Sequence, residues 1–283
     1  MRATVDDQSP VRVLFCGFRS VNRKKLMKTY APELPLSGRT AVVTGSGRNI
    51  GRAIALSLAA QGANVVVNGH SDRAGVDAVV EEIRNAGGSA LGLMADVGSD
   101  AAVEAMVKAA ADHFGSVDIA VSNVGIRRKQ AFLDITPEVW DEVLRTNLSA
   151  AFYVARHTIP LMRAGQWGRL VLISGFDGFW GQVTERAHNI TAKAGLHGLA
   201  MALAREFGPD GVTANTVAPG AIDTIRDWSQ YTHQQREQIE REIPMGRYGK
   251  PDEVAAACDL LCSDRGGFIS GQVIHVNGGQ FMY

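Results

Sequence analysis

Short, unbroken apolar runs alternate with longer amphipathic stretches from Thr40 to the end of the chain. Thr40–Val43, Asn64–Asn68, Ala90–Met94, Ile119–Ser122, Arg169–Ser174, Thr213–Val217 and Gln272–Val276 read as strands that bury both faces. Between them, helical spacing predicts elements over Ile50–Gln61, over a stretch ending at Gly87–Gly88, over Asp100–Phe114, near Lys193–Phe207 and over Pro251–Cys262. Thr136-Pro137-Glu138 gives a further helix its N-cap, its first-position proline and a first-turn acid, and that helix is expected to run past Asn147. Seven strands alternating with helices predict an α/β protein: a single Rossmann-like, doubly wound domain with a seven-stranded parallel sheet and helices on both faces.

Composition narrows the function classes. The 283 residues are 46% hydrophobic, which suits a buried core, and Lys+Arg and Asp+Glu both number 29. Zero net charge supplies no general attraction to nucleic acid or to acidic membranes. No apolar run approaches the roughly 20 residues that span a bilayer. The three cysteines form no CxxC, Cys258 and Cys262 fall on one helix face, and the seven histidines show no ligand spacing. A reducing, cytoplasmic compartment and no metal site are expected.

Residues 1–35 differ from the rest. Within the first 26, Arg2, Arg12, Arg19, Arg23, Lys24 and Lys25 face only Asp6 and Asp7. The broken apolar stretch fits neither a secretory signal nor a transit peptide. A flexible basic extension, or a true start at Met27, is expected, with the folded domain over 36–283.

Thr44-Gly45-Ser46-Gly47-Arg48-Asn49-Ile50-Gly51 joins the first strand to the first helix. A glycine-rich turn there lets the backbone approach a phosphate while the helix N-terminus supplies free N–H groups. Downstream stand Asp96-Val97, Ser122-Asn123-Val124-Gly125, Asn147 within Thr-Asn-Leu, Ala218-Pro219-Gly220 and Ile222-Asp223-Thr224, then Pro244–Val254 and Gly271–Gly278. In this order, over roughly Leu36–Gly279, the motifs resemble the short-chain dehydrogenase/reductase family, and the last third resembles its 3-oxoacyl-carrier-protein reductase branch. Asn49 stands where that family's turn has its middle glycine, and Ser122 and Val124 are substituted in its Asn-Asn-Ala-Gly motif. The resemblance implies a nicotinamide dinucleotide bound by Gly45, Ser46, Gly47, Arg48, Asn49, Ile50, Asn68, His70, Ser71, Asp96, Val97, Asn123, Val124, Gly125, Lys193, Pro219, Gly220, Ile222 and Thr224. NADP(H) is expected over NAD(H), because Gly69 replaces the ribose-binding acid after the second strand and Arg48 can pair with a 2′-phosphate. It also implies a homo-oligomer, a tetramer by the family's habit, with Ala150–Ala151 and Ala200–Ala204 permitting close helix packing.

The family works with a serine, a tyrosine, a lysine four residues later and a helix asparagine. Asn147 and Lys193 match the last two. The tyrosine position holds Asn189, the serine position holds Gly175, and Ser174 precedes it by one. Counting from the serine instead reaches His188. An amide is no general acid whereas imidazole is one, so His188 is the first candidate replacement and equally a structural histidine. Asp177 and Tyr231 are weaker candidates. Three readings stay open: an NADP(H)-dependent carbonyl/alcohol oxidoreductase of a small molecule with an altered proton donor, a silent nucleotide-holding scaffold, and a lyase or isomerase in the same pocket. A substrate lid over about 225–243, with Trp228, Tyr231 and His233, signals neither a greasy nor an anionic ligand.

Overall fold

All seven apolar runs become parallel strands: β1 (Thr40–Val43), β2 (Asn64–Gly69), β3 (Ser89–Met94), β4 (Ile119–Ser122), β5 (Gly168–Ile173), β6 (Val212–Pro219) and β7 (Val273–Val276). In this computed structural model, which describes residues 34–181, 184–225 and 232–282, they pair in the order β3-β2-β1-β4-β5-β6-β7. The helices are α1 (Asn49–Ala60), α2 (Arg73–Asn85), α3 (Asp100–Phe114), α4 (Pro137–Leu144), α5 (Ala150–Ala164), α6 (Ala187–Phe207), α7 (His233–Glu242) and α8 (Pro251–Cys262).

Alternation along each strand divides the core in two. Ala41 and Val43 of β1 pack with Val65 and Val67, and with α1, α2 and α8 through Ile54, Val76 and Leu261. Val42 and Val66 face the other way, against Val103, Val154 and Leu196 of α3, α5 and α6. Continuous apolar strands are what a sheet covered on both faces requires. Leu36 is fully buried in the first cluster and its N–H bonds the Gln61 carbonyl at 2.9 Å, tying the start of the body to the end of α1.

Two local forms differ from the sequence expectation. The helix that opens on Thr136 does pass Asn147, but α4 ends at Leu144 and Arg145–Ser149 form a π turn before α5. The wider turn sets the Asn147 side chain against the backbone of Ile126, where a regular helix would carry it round by a different angle. Helix α6 starts at Ala187, earlier than the apolar pattern indicated, so His188, Asn189 and Lys193 ride on one rigid element. Within the expected lid, α7 begins at a Thr232 capping box with Gln235, and Trp228 and Tyr231 lie outside the described residues.

Candidate active site

The strand order reverses between β1 and β4, and a cleft of ≈ 720 Å³ opens at the carboxyl ends of the strands beside that reversal. Doubly wound sheets bind ligands at this crevice, because the loops from the two neighbouring strands leave in opposite directions. The volume falls within the usual range for small-molecule sites.

The cofactor end follows from the glycine turn. Gly45 has φ +61, and a side-chain carbon there would meet Val124 Cγ2 at 2.8 Å. At Gly51 one would meet the Gly45 carbonyl and, at 2.6 Å, Asn123 Nδ2. Only glycine lets the turn and α1 close on the β4 loop. Arg48 caps α1 without a side-chain bond, and the first turn holds no acid, so its N–H groups stay available to a phosphate. The residues present therefore fit a dinucleotide.

Several residues expected to touch the cofactor hold the turn and its surroundings together. Ser46 is buried, its hydroxyl donating to the Val43 carbonyl at 2.7 Å and accepting the Asn68 N–H at 3.0 Å. Asn68 is buried too: Oδ1 accepts the Gly45 N–H at 3.1 Å while Nδ2 is spent on the carbonyls of Gly69, Leu93 and Ala95. Gly47 packs under the Gly75–Val76 backbone, and Val97 is buried. His70 and Ser71 are exposed after β2, and the nearby acid, Asp72, is engaged as the α2 cap by accepting from Gly75 at 2.9 Å. Asp96 is exposed and accepts the Gly98 N–H at 2.9 Å. None of Ser46, Gly47, Asn68, His70, Ser71, Asp96 and Val97 lines the cleft, whose walls include Arg48, Asn49 and Ile50 from the turn. Val124 and Gly125 follow β4 on one wall; Pro219, Gly220, Ile222 and Thr224 follow β6 on the other. Asn123 joins the two strand ends, its amide donating to the carbonyls of Thr44 and Gly45 at 3.0 and 3.2 Å.

Asn49, at φ +53, occupies the left-handed region that asparagine tolerates best among non-glycine residues. Its amide does what a glycine could not, accepting the Ile225 N–H at 2.8 Å and donating to the Ile225 carbonyl at 3.1 Å. The glycine turn is thereby clasped to Ile225, where the expected lid begins.

At the reacting end, Asn147 is buried and pairs in both directions with Ile126, accepting its N–H at 2.7 Å and donating to its carbonyl at 2.9 Å. Asn189 donates to that same carbonyl at 2.7 Å and accepts the Arg128 N–H at 3.3 Å. Lys193 donates to the Ile173 carbonyl at 2.8 Å. A side-chain carbon on Gly125 would sit 3.3 Å from the lysine Nζ and 3.6 Å from Asn147 Oδ1, so this glycine keeps the space between them open. Burial, then the Arg127 charge, push the Lys193 ammonium down to about 8, while Asp177 acts weakly the other way.

His188 is not where a proton donor must be. It is fully buried with Nε2 unpartnered, its Nδ1 accepts the Asn189 N–H at 3.1 Å, and it does not line the cleft. It continues the stripe of Ala192 and Leu196, which face the core; five residues from Lys193 is the wrong helical spacing for a shared face. Ser174 lines the cleft but its hydroxyl donates back to the Val217 carbonyl at 3.2 Å. Gly175 is extended, with nothing within 4 Å of where a side chain would start. Asp177 faces Arg186 at 3.9 Å.

The sequence reading missed two features. Arg127, Arg128, Lys129 and Arg186 line the cleft; the Arg-Arg-Lys run after Gly125 was the available signal. Phe179 stacks on His197 at 4.1 Å and on Phe281 at 5.7 Å, with His275 against both rings, and this cluster supports the segment after β5. Burial, then the neighbouring His275, push His197 down to about 4.

A switch-point cleft with a glycine turn on one side and an Asn–Lys pair on the other defines a dinucleotide-binding enzyme domain. Comparison with known proteins agrees. The family model described as enoyl-(acyl carrier protein) reductase matches residues 45–280. The 3-oxoacyl-[acyl-carrier-protein] reductase FabG of Aquifex aeolicus is 40% identical over 251 residues, 88% of this chain and 100% of the relative. FabG of Escherichia coli K12 is 38% identical over 245 residues, 87% and 98%. A crystal structure of a protein described as a short-chain alcohol dehydrogenase from Sinorhizobium meliloti 1021 superposes with a TM-score of 0.83 at 31% identity, covering 88% and 98%. The chain belongs to the short-chain dehydrogenase/reductase family, oxidoreductases that act on CH–OH and C=O groups with NAD(P).

Proposed function

We propose that the protein interconverts a carbonyl and an alcohol on a small molecule with NADP(H), and that Lys193 replaces the missing tyrosine as the proton-handling group. The observation that carries this reading is the position of Lys193 on the cleft wall, held by the Ile173 carbonyl, where burial lowers its pKa to about 8. Among the described lining residues it is the one partly buried group that can give up a proton near neutral pH. Arginines stay protonated, and Lys129 is exposed and paired with Glu185 at 3.1 Å. When bound, the reduced nicotinamide supplies a hydride to the carbonyl carbon. The Lys193 ammonium then gives a proton to the developing alkoxide and is left as the neutral amine, which solvent reprotonates. One of its three N–H bonds is held by Ile173, leaving two for a ribose hydroxyl and the substrate oxygen. Asn147 and Asn189 fix the Ile126–Arg128 backbone that walls the site.

The NADP(H) preference rests on Arg48 and on the absence of an uncommitted acid after β2. We further propose a homo-oligomer, supported by Phe152 of α5 and Met201 of α6, both large, apolar and exposed. Free, buried Cys258 and Cys262 are consistent with a reducing, cytoplasmic setting. A silent nucleotide-holding scaffold is the second reading, favoured by the engagement of Asn189 with backbone alone. Turnover decides between them: NADPH oxidation with a panel of ketones is expected at rates well below those of tyrosine-bearing relatives, and its complete absence across the panel with tight NADPH binding establishes the scaffold.

A further inference from the structure

Building on the reductase reading above, we infer that the substrate carries an anionic group, carboxylate or phosphate, held by the basic rim around Asn189. Six basic side chains line the cleft (Arg48, Arg127, Arg128, Lys129, Arg186 and Lys193), and no aspartate or glutamate does so among the described residues. The chain as a whole balances 29 basic against 29 acidic residues, so this bias is local.

The six fall at two places. Arg48 belongs to the glycine turn and serves the cofactor. The others surround the reacting end: Arg127, Arg128 and Lys129 leave the Ile126 backbone that Asn147 and Asn189 hold, and Arg186 lies three residues before Asn189. The Gln130 N–H bonds the Glu185 carbonyl at 2.9 Å, joining the two segments into one rim. Glu142 pairs with Arg128 at 2.6 Å, Glu185 with Lys129 at 3.1 Å, and Asp177 approaches Arg186 at 3.9 Å. None of the three lines the cleft. A concave wall of one sign concentrates its field on the ligand, and guanidinium forks match carboxylate and phosphate oxygens in pairs. Arg127 also lowers the Lys193 pKa, after burial, as a like charge beside it does. An anion seated between them relieves that repulsion and keeps the lysine protonated as an acid.

The test is calorimetric binding to the NADP⁺-saturated protein, so that phosphate sites at the turn are filled. Short 3-oxo acids from acetoacetate to 3-oxooctanoate are compared with their methyl esters, and dihydroxyacetone phosphate with dihydroxyacetone; the two arms separate carboxylate from phosphate. At least one charged ligand is expected to bind about tenfold or more tighter than its neutral partner. Arg127→Gln and Arg186→Gln should each erode that ratio by about three- to tenfold, Arg186→Lys should retain most of it, and NADP⁺ affinity should stay unchanged as the control for folding. No preference for any charged member, or a preference that survives the Arg127→Gln/Arg186→Gln pair, overturns the inference. A charged ligand that binds but is never reduced upholds the inference and removes the reductase reading. Neutral ketones bound and reduced as well as charged ones do the reverse.

Discussion

The side-chain amides of Asn147 and Asn189 donate to one acceptor, the carbonyl oxygen of Ile126, at 2.9 and 2.7 Å. Asn189, expected at the family tyrosine's position, thus joins Asn147 in bracing a loop, and the Arg128 N–H completes its bonding. Asn189→Ala should leave that part-buried N–H without its partner while Ile126 keeps Asn147. A loss of about 1–2 kcal/mol in unfolding free energy is expected, measured by denaturant titration. Serine fits at Gly175 without strain. Asn189→Tyr with Gly175→Ser should therefore raise ketone reduction by about 10²-fold or more, the typical worth of a matched acid; an unchanged rate would show that the tyrosine cannot reach the carbonyl in this cleft.

If Lys193 is the acid, reduction requires its protonated form. With the ammonium at about 8, turnover should be flat below that pH and fall tenfold per unit above it. Lys193→Met should abolish the dependence along with most of the rate. His188→Leu should leave the pH profile intact, since that side chain faces the core. A pH dependence that disappears in His188→Leu would return the role to histidine.

The same lysine bears on stability. Its folded value lies below the usual 10.5, so between about 8 and 10.5 the unfolded chain holds a proton that the folded chain lacks, and stability rises with pH across that window. Lys193→Met should stabilise the cofactor-free protein at pH 7 by about 1–2 kcal/mol, as removal of a desolvated charge does. Thermal unfolding of both forms at pH 7 checks it.

Arg48→Ala should lower the affinity for NADPH by about tenfold or more and leave that for NADH nearly unchanged. Fluorescence titration with the two nucleotides reads this directly, and NADH binding tighter than NADPH in the unaltered protein would remove the cofactor assignment.

His197 gives the protein an acid-sensitive point. It stays neutral in the folded state down to about 4, whereas the unfolded chain protonates it near 6.5. Stability contributed by the neutral ring is therefore present above 6.5 and lost as pH falls toward 4, by about 2–3 kcal/mol. His197→Gln should flatten the fall in urea midpoint between pH 7 and pH 4.5.

Much of this was legible along the chain. Thr40–Val43 and Ile119–Ser122 were readable as strands to the residue, because a strand buried on both faces must be apolar throughout. Asp100–Phe114 and Pro251–Cys262 were equally plain from periodicity and capping. The glycine turn was visible because a phosphate-binding turn needs those residue types between strand and helix, and Asn147 and Lys193 were visible through the family resemblance. What the sequence could not contain was direction. Whether Asn68 and Ser46 point at a cofactor or into the turn depends on how β2 and β3 sit beside β1, and the pairing of Asn68 with Leu93 and Ala95 joins residues far apart in the chain. His188 and Asn189 are neighbours in sequence, yet the rotation of α6 against its core neighbours sends one into the core and the other to the loop. The basic rim likewise exists because Asn189 and Asn147 draw the Ile126–Arg128 backbone to the start of α6. Local propensity and burial pattern are written in one dimension. The sign of the potential in a cleft is a sum over segments that only packing brings together.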